Sequence, residues 1–272
     1  DHARAGQDVV VVTGTASGKT LCYNLPVLEA AACDPEARAL YLYPTKALAQ
    51  DQLKGLLELA DAGGPLGARL RPGVYDGDTP TAQRRRIRSE ANIVLSNPDM
   101  LHAAILPYHG KWASFFSELR TIVLDEVHTY RGILGAHVAA VLRRLLRVAR
   151  HYGSEPIFLA TSATIANPGE LVSKLIGREA VVVDQDGSPR GRKYFALWNP
   201  APPAADRLAR KSAADDAVQW MVAALEADAQ ALAFTRTRQA AELIHRYTRE
   251  ALSERGSTLR DAVRAYRGGY LP

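Results

Sequence analysis

The chain carries a lysine in the setting that polyphosphate chemistry requires: Thr13-Gly14-Thr15-Ala16-Ser17-Gly18-Lys19-Thr20, directly after a run of valines. Small residues let the backbone curl until successive N–H groups point inward at a polyphosphate. Lys19 then supplies charge to the β and γ phosphates of a nucleoside triphosphate, and the Thr20 hydroxyl is suited to hold Mg²⁺. A helix opening at Lys19 adds the positive end of its dipole. Thr13 stands where the strict pattern has glycine, which loosens the match to P-loops in general.

ATP hydrolysis needs two carboxylates, one to hold Mg²⁺ and one to orient or deprotonate the attacking water. Asp125-Glu126-Val127-His128 follows an apolar run and offers both. Asp125 suits the metal role and Glu126 the catalytic one. An acidic pair after a strand also suits plain helix capping, but the phosphate loop upstream favours catalysis. His128 is positioned to hydrogen-bond towards a neighbouring loop, Thr161-Ser162-Ala163-Thr164, whose small hydroxyl residues can bridge His128 and Asp125 to the rest of the domain.

Apolar runs and amphipathic stretches alternate around these groups. Strands are expected near Val9–Val12, Ala39–Tyr43, Pro72–Tyr75, Asn92–Leu95, Thr121–Leu124, Ile157–Ala160 and Ala180–Val183, with helices such as Lys46–Leu59 and His137–Arg150 between them. That order predicts an α/β fold, a parallel sheet with helices on both faces. Asp184–Arg192 breaks the pattern with turn formers and charge. The expected division is therefore a first domain over 1–185, a linker and entry strand over 186–200, and a second domain over 201–272. Lys193–Trp198 is the expected entry strand, and the second domain opens a new series: helix Ala213–Leu225, strand Ala229–Phe234, helix Arg238–Ser253 and strand Ala262–Tyr266.

The 272 residues carry 34 Lys plus Arg against 29 Asp plus Glu, a formal net charge of +5, which permits a polyanionic partner without demanding one. Two arginine groups, Arg84, Arg85, Arg86 and Arg88 and then Arg143, Arg144, Arg147 and Arg150, fall on expected helices and read as solvated faces. Cys22 and Cys33 cannot complete a zinc site. No signal peptide or membrane-spanning run is read in the sequence, and its two cysteines suggest a reducing cytosol, so a cytoplasmic protein, nucleoid-associated in a bacterium, is expected.

In this order, Thr13–Thr20, Pro44-Thr45-Lys46-Ala47-Leu48, Ser96-Asn97-Pro98-Asp99, Asp125–His128 and Thr161–Thr164 resemble the motif set of superfamily-2 DEAD/DEAH-box (DEVH) helicases. Thr13–Leu25, Asp125–Gly132 with Gly135–Val138, Thr161–Pro168 and Tyr266-Arg267-Gly268-Gly269-Tyr270 are most similar to bacterial DNA-repair helicases of the mitomycin-repair-factor type and their fungal RecQ-like relatives.

The resemblance implies two RecA-like domains with ATP in the cleft between them and single-stranded DNA across the top, RNA remaining possible. It also implies that Pro44, Thr45 and Lys46, and Ser96, Asn97, Pro98 and Asp99, grip the nucleic-acid backbone, where helix capping is the alternative use of the same residues. Gly77, in the turn Tyr75–Thr79, is a further candidate, as are Thr235 and Arg236 in the second domain. The family's upstream adenine-recognising segment and its later second-domain motifs, with their arginine finger, find no match. An N-terminal motor portion with a truncated second RecA-like domain is thus expected, in a DNA-repair helicase moving 3′ to 5′ at the expense of ATP. The alternatives are a DExH RNA helicase and a nucleotide-binding or interaction module without turnover. Glu126 argues against the last, since pure binding needs no water-activating carboxylate.

Overall fold

Runs of β-branched and aromatic residues that leave no polar face need cover on both sides, and the chain supplies it with helices from each intervening segment. The computed structural model describes residues 1–14, 17–188, 191–199 and 212–266. Contacts divide the chain into a first unit, Asp1–Gly191, and a second, Arg192–Pro272.

In the first unit, β1 (Val9–Val12), β2 (Arg38–Leu42), β3 (Pro72–Val74), β4 (Ile93–Ser96), β5 (Leu119–Leu124), β6 (Ile157–Ser162) and β7 (Val181–Val183) form one sheet in the order β3-β4-β2-β5-β6-β1-β7. Every pairing is parallel. The main helices of this unit are α1 (Lys19–Cys33), α2 (Lys46–Ala62), α3 (Thr81–Glu90), α4 (Gly132–His151) and α5 (Pro168–Ile176).

Side chains alternate across the sheet as the pleat demands. Val10, Leu40, Val94, Ile122 and Phe158 join the core made with α4 and α5, whereas Val9, Tyr41, Ile93, Val123 and Leu159 face α1 and α2. Full burial of one such side chain contributes about 1.5–3 kcal/mol. Asp8 staples three strands together. Its carboxylate accepts from the Phe158 N–H at 2.7 Å and from Arg178 Nη2 at 3.0 Å, and its carbonyl accepts from the Val181 N–H at 2.8 Å.

The helix expected over His137–Arg150 begins earlier, at Gly132, and packs Val138, Leu142, Leu145 and Leu146 into the core. Beyond a helix start at Ser96–Asp99, the sequence reading names no helix over residues 98–117. They fold into short helical turns, one of π type over Leu101–Ile105, that bury Trp112, Phe115 and Phe116.

The second unit contains α6 (Ala213–Glu226), α7 (Arg238–Glu254) and a 3₁₀ turn at Thr258–Ala262, joined through Val222, Leu252 and Val263. Here the sequence reading needs correction. Lys193–Trp198, Ala229–Phe234 and Ala262–Tyr266 form no strand among the described residues. A strand exists through its ladder, and these segments have no partner ladder to complete. Phe195 and Phe234 are 91% and 89% exposed as a result. Thr15, Ala16, Pro200–Pro203 and the residues 267–270 of the last quoted stretch lie outside the described residues.

Candidate nucleotide and nucleic-acid site

Because all seven strands are parallel, the loops leaving their carboxyl ends emerge along one edge of the sheet, where open α/β sheets bind ligands. The strand order then sorts those loops. Neighbours β1, β6 and β5 carry Thr13–Thr20, Thr161–Thr164 and Asp125–His128; neighbours β2, β4 and β3 carry Pro44–Lys46, Ser96–Asp99 and Tyr75–Thr79.

In the nucleotide half, Gly18 adopts φ +83° as the residue before α1, a conformation that favours glycine. It lets the chain turn from β1 into the helix that starts at Lys19. Lys19 Nζ donates to the carbonyls of Thr13 and Gly14, each at 3.1 Å, and Ser17 Oγ donates to the Gly14 carbonyl at 2.8 Å. The Gly14 N–H donates in turn to Asp186 Oδ2 at 3.3 Å. The cation and one amide of the loop are thus engaged by the protein itself.

Asp125 is 6% exposed at the end of β5. Burial holds its carboxyl above the usual carboxylate range, against hydrogen bonds from Thr161 Oγ1 and the Glu126 N–H that pull the other way. Glu126 takes φ +52°, a left-handed conformation that costs of order 1–3 kcal/mol in a residue other than glycine. Thr129 secures that bend, donating to the Glu126 carbonyl through its N–H at 3.0 Å and its Oγ1 at 2.8 Å.

His128 Nδ1 accepts from the Ala163 N–H at 3.3 Å. Glu126 Oε2 lies 3.1 Å from the same Nδ1 and is buried without a hydrogen-bond partner among the described residues. Ser162 is also buried at the end of β6, and Thr164 is exposed.

Tyr23 on α1 was not anticipated from sequence. It is buried, its hydroxyl donates to Gln52 Oε1 at 3.2 Å, and burial, reinforced by the Asp125 charge, pushes it up to about 12. Only its place one turn after Lys19 on an inward-facing stripe could have signalled this.

The other half of the edge is built from turns. Thr45 caps α2, its Oγ1 accepting from the Leu48 N–H at 3.3 Å, and Thr45 and Lys46 are exposed just after the half-buried Pro44. Ser96 is buried and donates to the Tyr75 carbonyl at 2.7 Å, tying this loop to the next. Asn97 Oδ1 accepts from the Met100 N–H at 2.8 Å, Pro98 opens the helical turn, and Asp99 is exposed. Lys46 Nζ reaches Asp78 Oδ2 at 2.7 Å, so the loops after β2 and β3 touch beside Gly77.

Arg84 departs from the solvated face expected for its group. It is half-buried and turns back onto the Tyr75–Thr79 turn, whereas Arg85 and Arg86 are exposed. Thr235 and Arg236 belong to the second unit, ahead of α7; Thr235 Oγ1 donates to the Thr237 carbonyl at 2.9 Å and Arg236 is exposed.

Among the described residues no cluster of three or more His, Cys, Asp or Glu could hold a metal unaided. The donors present, the Thr20 hydroxyl and the buried Asp125, match Mg²⁺ instead, which takes one or two protein groups and completes its shell with phosphate oxygens and water. No helix among the described residues is long and apolar enough to cross a membrane.

Comparison with known proteins agrees with this arrangement. Residues 1–171 match the DEAD/DEAH box helicase family. The uncharacterized ATP-dependent helicase YprA of Bacillus subtilis is 48% identical over 271 residues, covering 100% of this chain and 36% of that protein. The ATP-dependent helicase hrq1 of Schizosaccharomyces pombe is 38% identical over 275 residues, covering 99% of this chain and 26% of that protein. The crystal structure of the DUF1998 helicase MrfA bound to DNA and AMPPNP superposes with a TM-score of 0.93 at 48% identity, covering 100% of this chain and 37% of that one. The chain therefore spans well under half the length of these relatives, and the match includes the RecA-like fold of the sheet. With motif order, sheet topology and sequence in agreement, the chain belongs to the DEAD/DEAH box helicase family, beside the YprA, MrfA and Hrq1 helicases.

Proposed function

We propose that this chain is motor sequence of an ATP-dependent DNA helicase or translocase that acts in DNA repair in the cytoplasm. One observation carries the reading: the strand order sorts phosphate-loop, carboxylate and hydroxyl loops to one half of the carboxyl edge and capped, exposed turns to the other. ATP lies over Thr13–Thr20, the sequence stretch that the family uses to bind the phosphates. Thr20 and Asp125 would hold Mg²⁺, which would neutralise charge on the β and γ phosphates. Lys19 leaves the Thr13 and Gly14 carbonyls for the phosphates. Glu126 Oε2 accepts a proton from the attacking water, and His128 holds the Thr161–Thr164 loop through the Ala163 amide.

Nucleic acid crosses the loops after β2, β3 and β4, touching Pro44, Thr45, Lys46, Gly77, Ser96, Asn97, Pro98 and Asp99, with Thr235 and Arg236 engaging it from the second domain. The buried Ser96 acts through its link to Tyr75. The DNA and AMPPNP in the MrfA crystal structure support this choice of ligands. Travel from 3′ to 5′ is the direction the family resemblance favours.

The test is ATPase stimulation by single-stranded DNA and by RNA of equal length, measured on the full-length protein. DNA should stimulate more strongly. Equal or greater stimulation by RNA would favour an RNA helicase, and no stimulation by either would favour a nucleotide-binding module.

A further inference from the structure

The Tyr75–Thr79 turn is held with more hydrogen bonds than a loop connection needs. Asp76 is 3% exposed, and its Oδ1 accepts from the N–H groups of Asp78 and Thr79, at 2.9 and 3.0 Å, and from Thr79 Oγ1 at 3.0 Å. Arg84 closes the turn from outside. Its Nε donates to the Thr79 carbonyl at 2.9 Å, its Nη2 donates to the carbonyls of Asp76 at 2.8 Å and Gly77 at 3.1 Å, and its guanidinium lies 5.5 Å over the Tyr75 ring.

These contacts consume the carbonyls on one side of the turn and the Asp78 and Thr79 amides. The Gly77 N–H is left without a partner among the described residues, and Gly77 is exposed. A Cβ on Gly77 would sit 3.3 Å from Lys46 Nζ, a close contact, so glycine here lets the ammonium lie directly beside the turn. One free amide and one ammonium therefore share a corner, which is the donor set for a phosphate oxygen.

We propose that Arg84 is a positioning residue for strand binding: its fork presets the turn so that the Gly77 amide and Lys46 meet one backbone phosphate together. This rests on the reading that nucleic acid crosses these loops. Lys46 exchanges its Asp78 carboxylate for the phosphate, while Arg84 touches no nucleotide.

Anisotropy of labelled oligothymidine with the full-length protein, in wild type, Arg84→Ala, Arg84→Lys, Lys46→Ala and the Arg84→Ala/Lys46→Ala pair, tests this. Binding of a fluorescent ADP analogue reports an intact nucleotide half. Arg84→Ala should weaken oligothymidine binding about tenfold with ADP affinity unchanged. Arg84→Lys should not restore it, because an ammonium cannot span three carbonyls in the fork geometry of a guanidinium. The pair should lose less than the product of the single effects, since Lys46 acts only within the preset corner.

Restoration by Arg84→Lys, with multiplicative effects in the pair, would make Arg84 a direct phosphate contact and overturn the proposal. So would unchanged binding in Arg84→Ala, or a loss of oligothymidine and ADP binding together in both Arg84 variants. Failure of the wild type to bind oligothymidine would instead overturn the strand-crossing reading itself.

Discussion

The two halves of the carboxyl edge are prepared for anions to different degrees. In the nucleotide loop the lysine and one amide are engaged by the loop's own carbonyls and by Asp186, so a ligand must displace protein groups before its phosphates are held. In the Tyr75–Thr79 turn the backbone is fixed by Asp76 and Arg84, leaving the Gly77 amide free, while Lys46 is paired with Asp78 at 2.7 Å. In both places the lysine must change partner to meet an anion, but only in the second are the backbone donors set beforehand. On the proposed reading, the nucleotide loop reorganises more on binding than the strand turn does.

The largest effect should come from Glu126→Gln, which keeps the shape of the buried acceptor but removes its ability to take a proton. Turnover in the full-length protein should fall about 10²–10⁴-fold with nucleotide affinity retained. Steady-state ATPase set beside equilibrium binding reads both, and turnover within tenfold of wild type would remove Glu126 from the catalytic role.

Lys19→Ala should come next, with MgATP affinity falling about 100-fold or more as measured calorimetrically. A loss of oligothymidine affinity of similar size in nucleotide-free protein would break the comparison, because the halves would then not be separate. Thr20→Ala should reduce Mg²⁺-dependent affinity more than metal-free affinity.

A pH series sharpens the contrast further. Burial keeps Asp125 protonated to higher pH than an ordinary aspartate, and protons compete with Mg²⁺ for the same carboxylate. The Mg²⁺-dependent gain in nucleotide affinity should fade as pH falls into that raised range, while metal-free affinity changes less. Thr161→Ala removes a hydrogen bond that favours the charged form, so the fading should begin at higher pH. Indifference to the substitution would show that the Thr161 bond does not tune the metal carboxylate.

Smaller effects belong to the capping and competing groups. Thr45→Ala removes the α2 cap and should cost about 1 kcal/mol of stability in thermal unfolding, with oligothymidine affinity reduced by similar factors for unrelated sequences. Asp186→Asn removes the charge that rests on the Gly14 amide and should tighten ADP binding by about 1 kcal/mol, roughly fivefold. Unchanged affinity there would show that the loop is not held back by this carboxylate.

The first unit was legible because its chemistry lies at strand ends. An apolar run followed at once by Gly18-Lys19-Thr20 or Asp125-Glu126 states both the element and the loop, and a sheet buried on both faces leaves the run unbroken. The second unit was misread for the converse reason. Ala229–Phe234 has the composition of a strand, but composition does not supply the neighbour that a ladder requires. Arg84 escaped because its role depends on α3 folding back over the turn before it, a relation no pattern within the helix displays. The turns at residues 98–117 escaped because their short, mixed helix types carry no sustained period.

The place of β1 in the sheet sets when the nucleotide loop can exist at all. β1 pairs only with β6 and β7, and the staple at its base joins Asp8 to Phe158, 150 positions away. Closing so long a loop carries an entropic cost before any contact rewards it, and parallel pairings of this kind are slow to form. During synthesis β1 is therefore made well before β6 and β7, the strands that complete its pairing. On the reading that this loop holds the nucleotide, that competence waits on β6 and β7, which follow it in the chain.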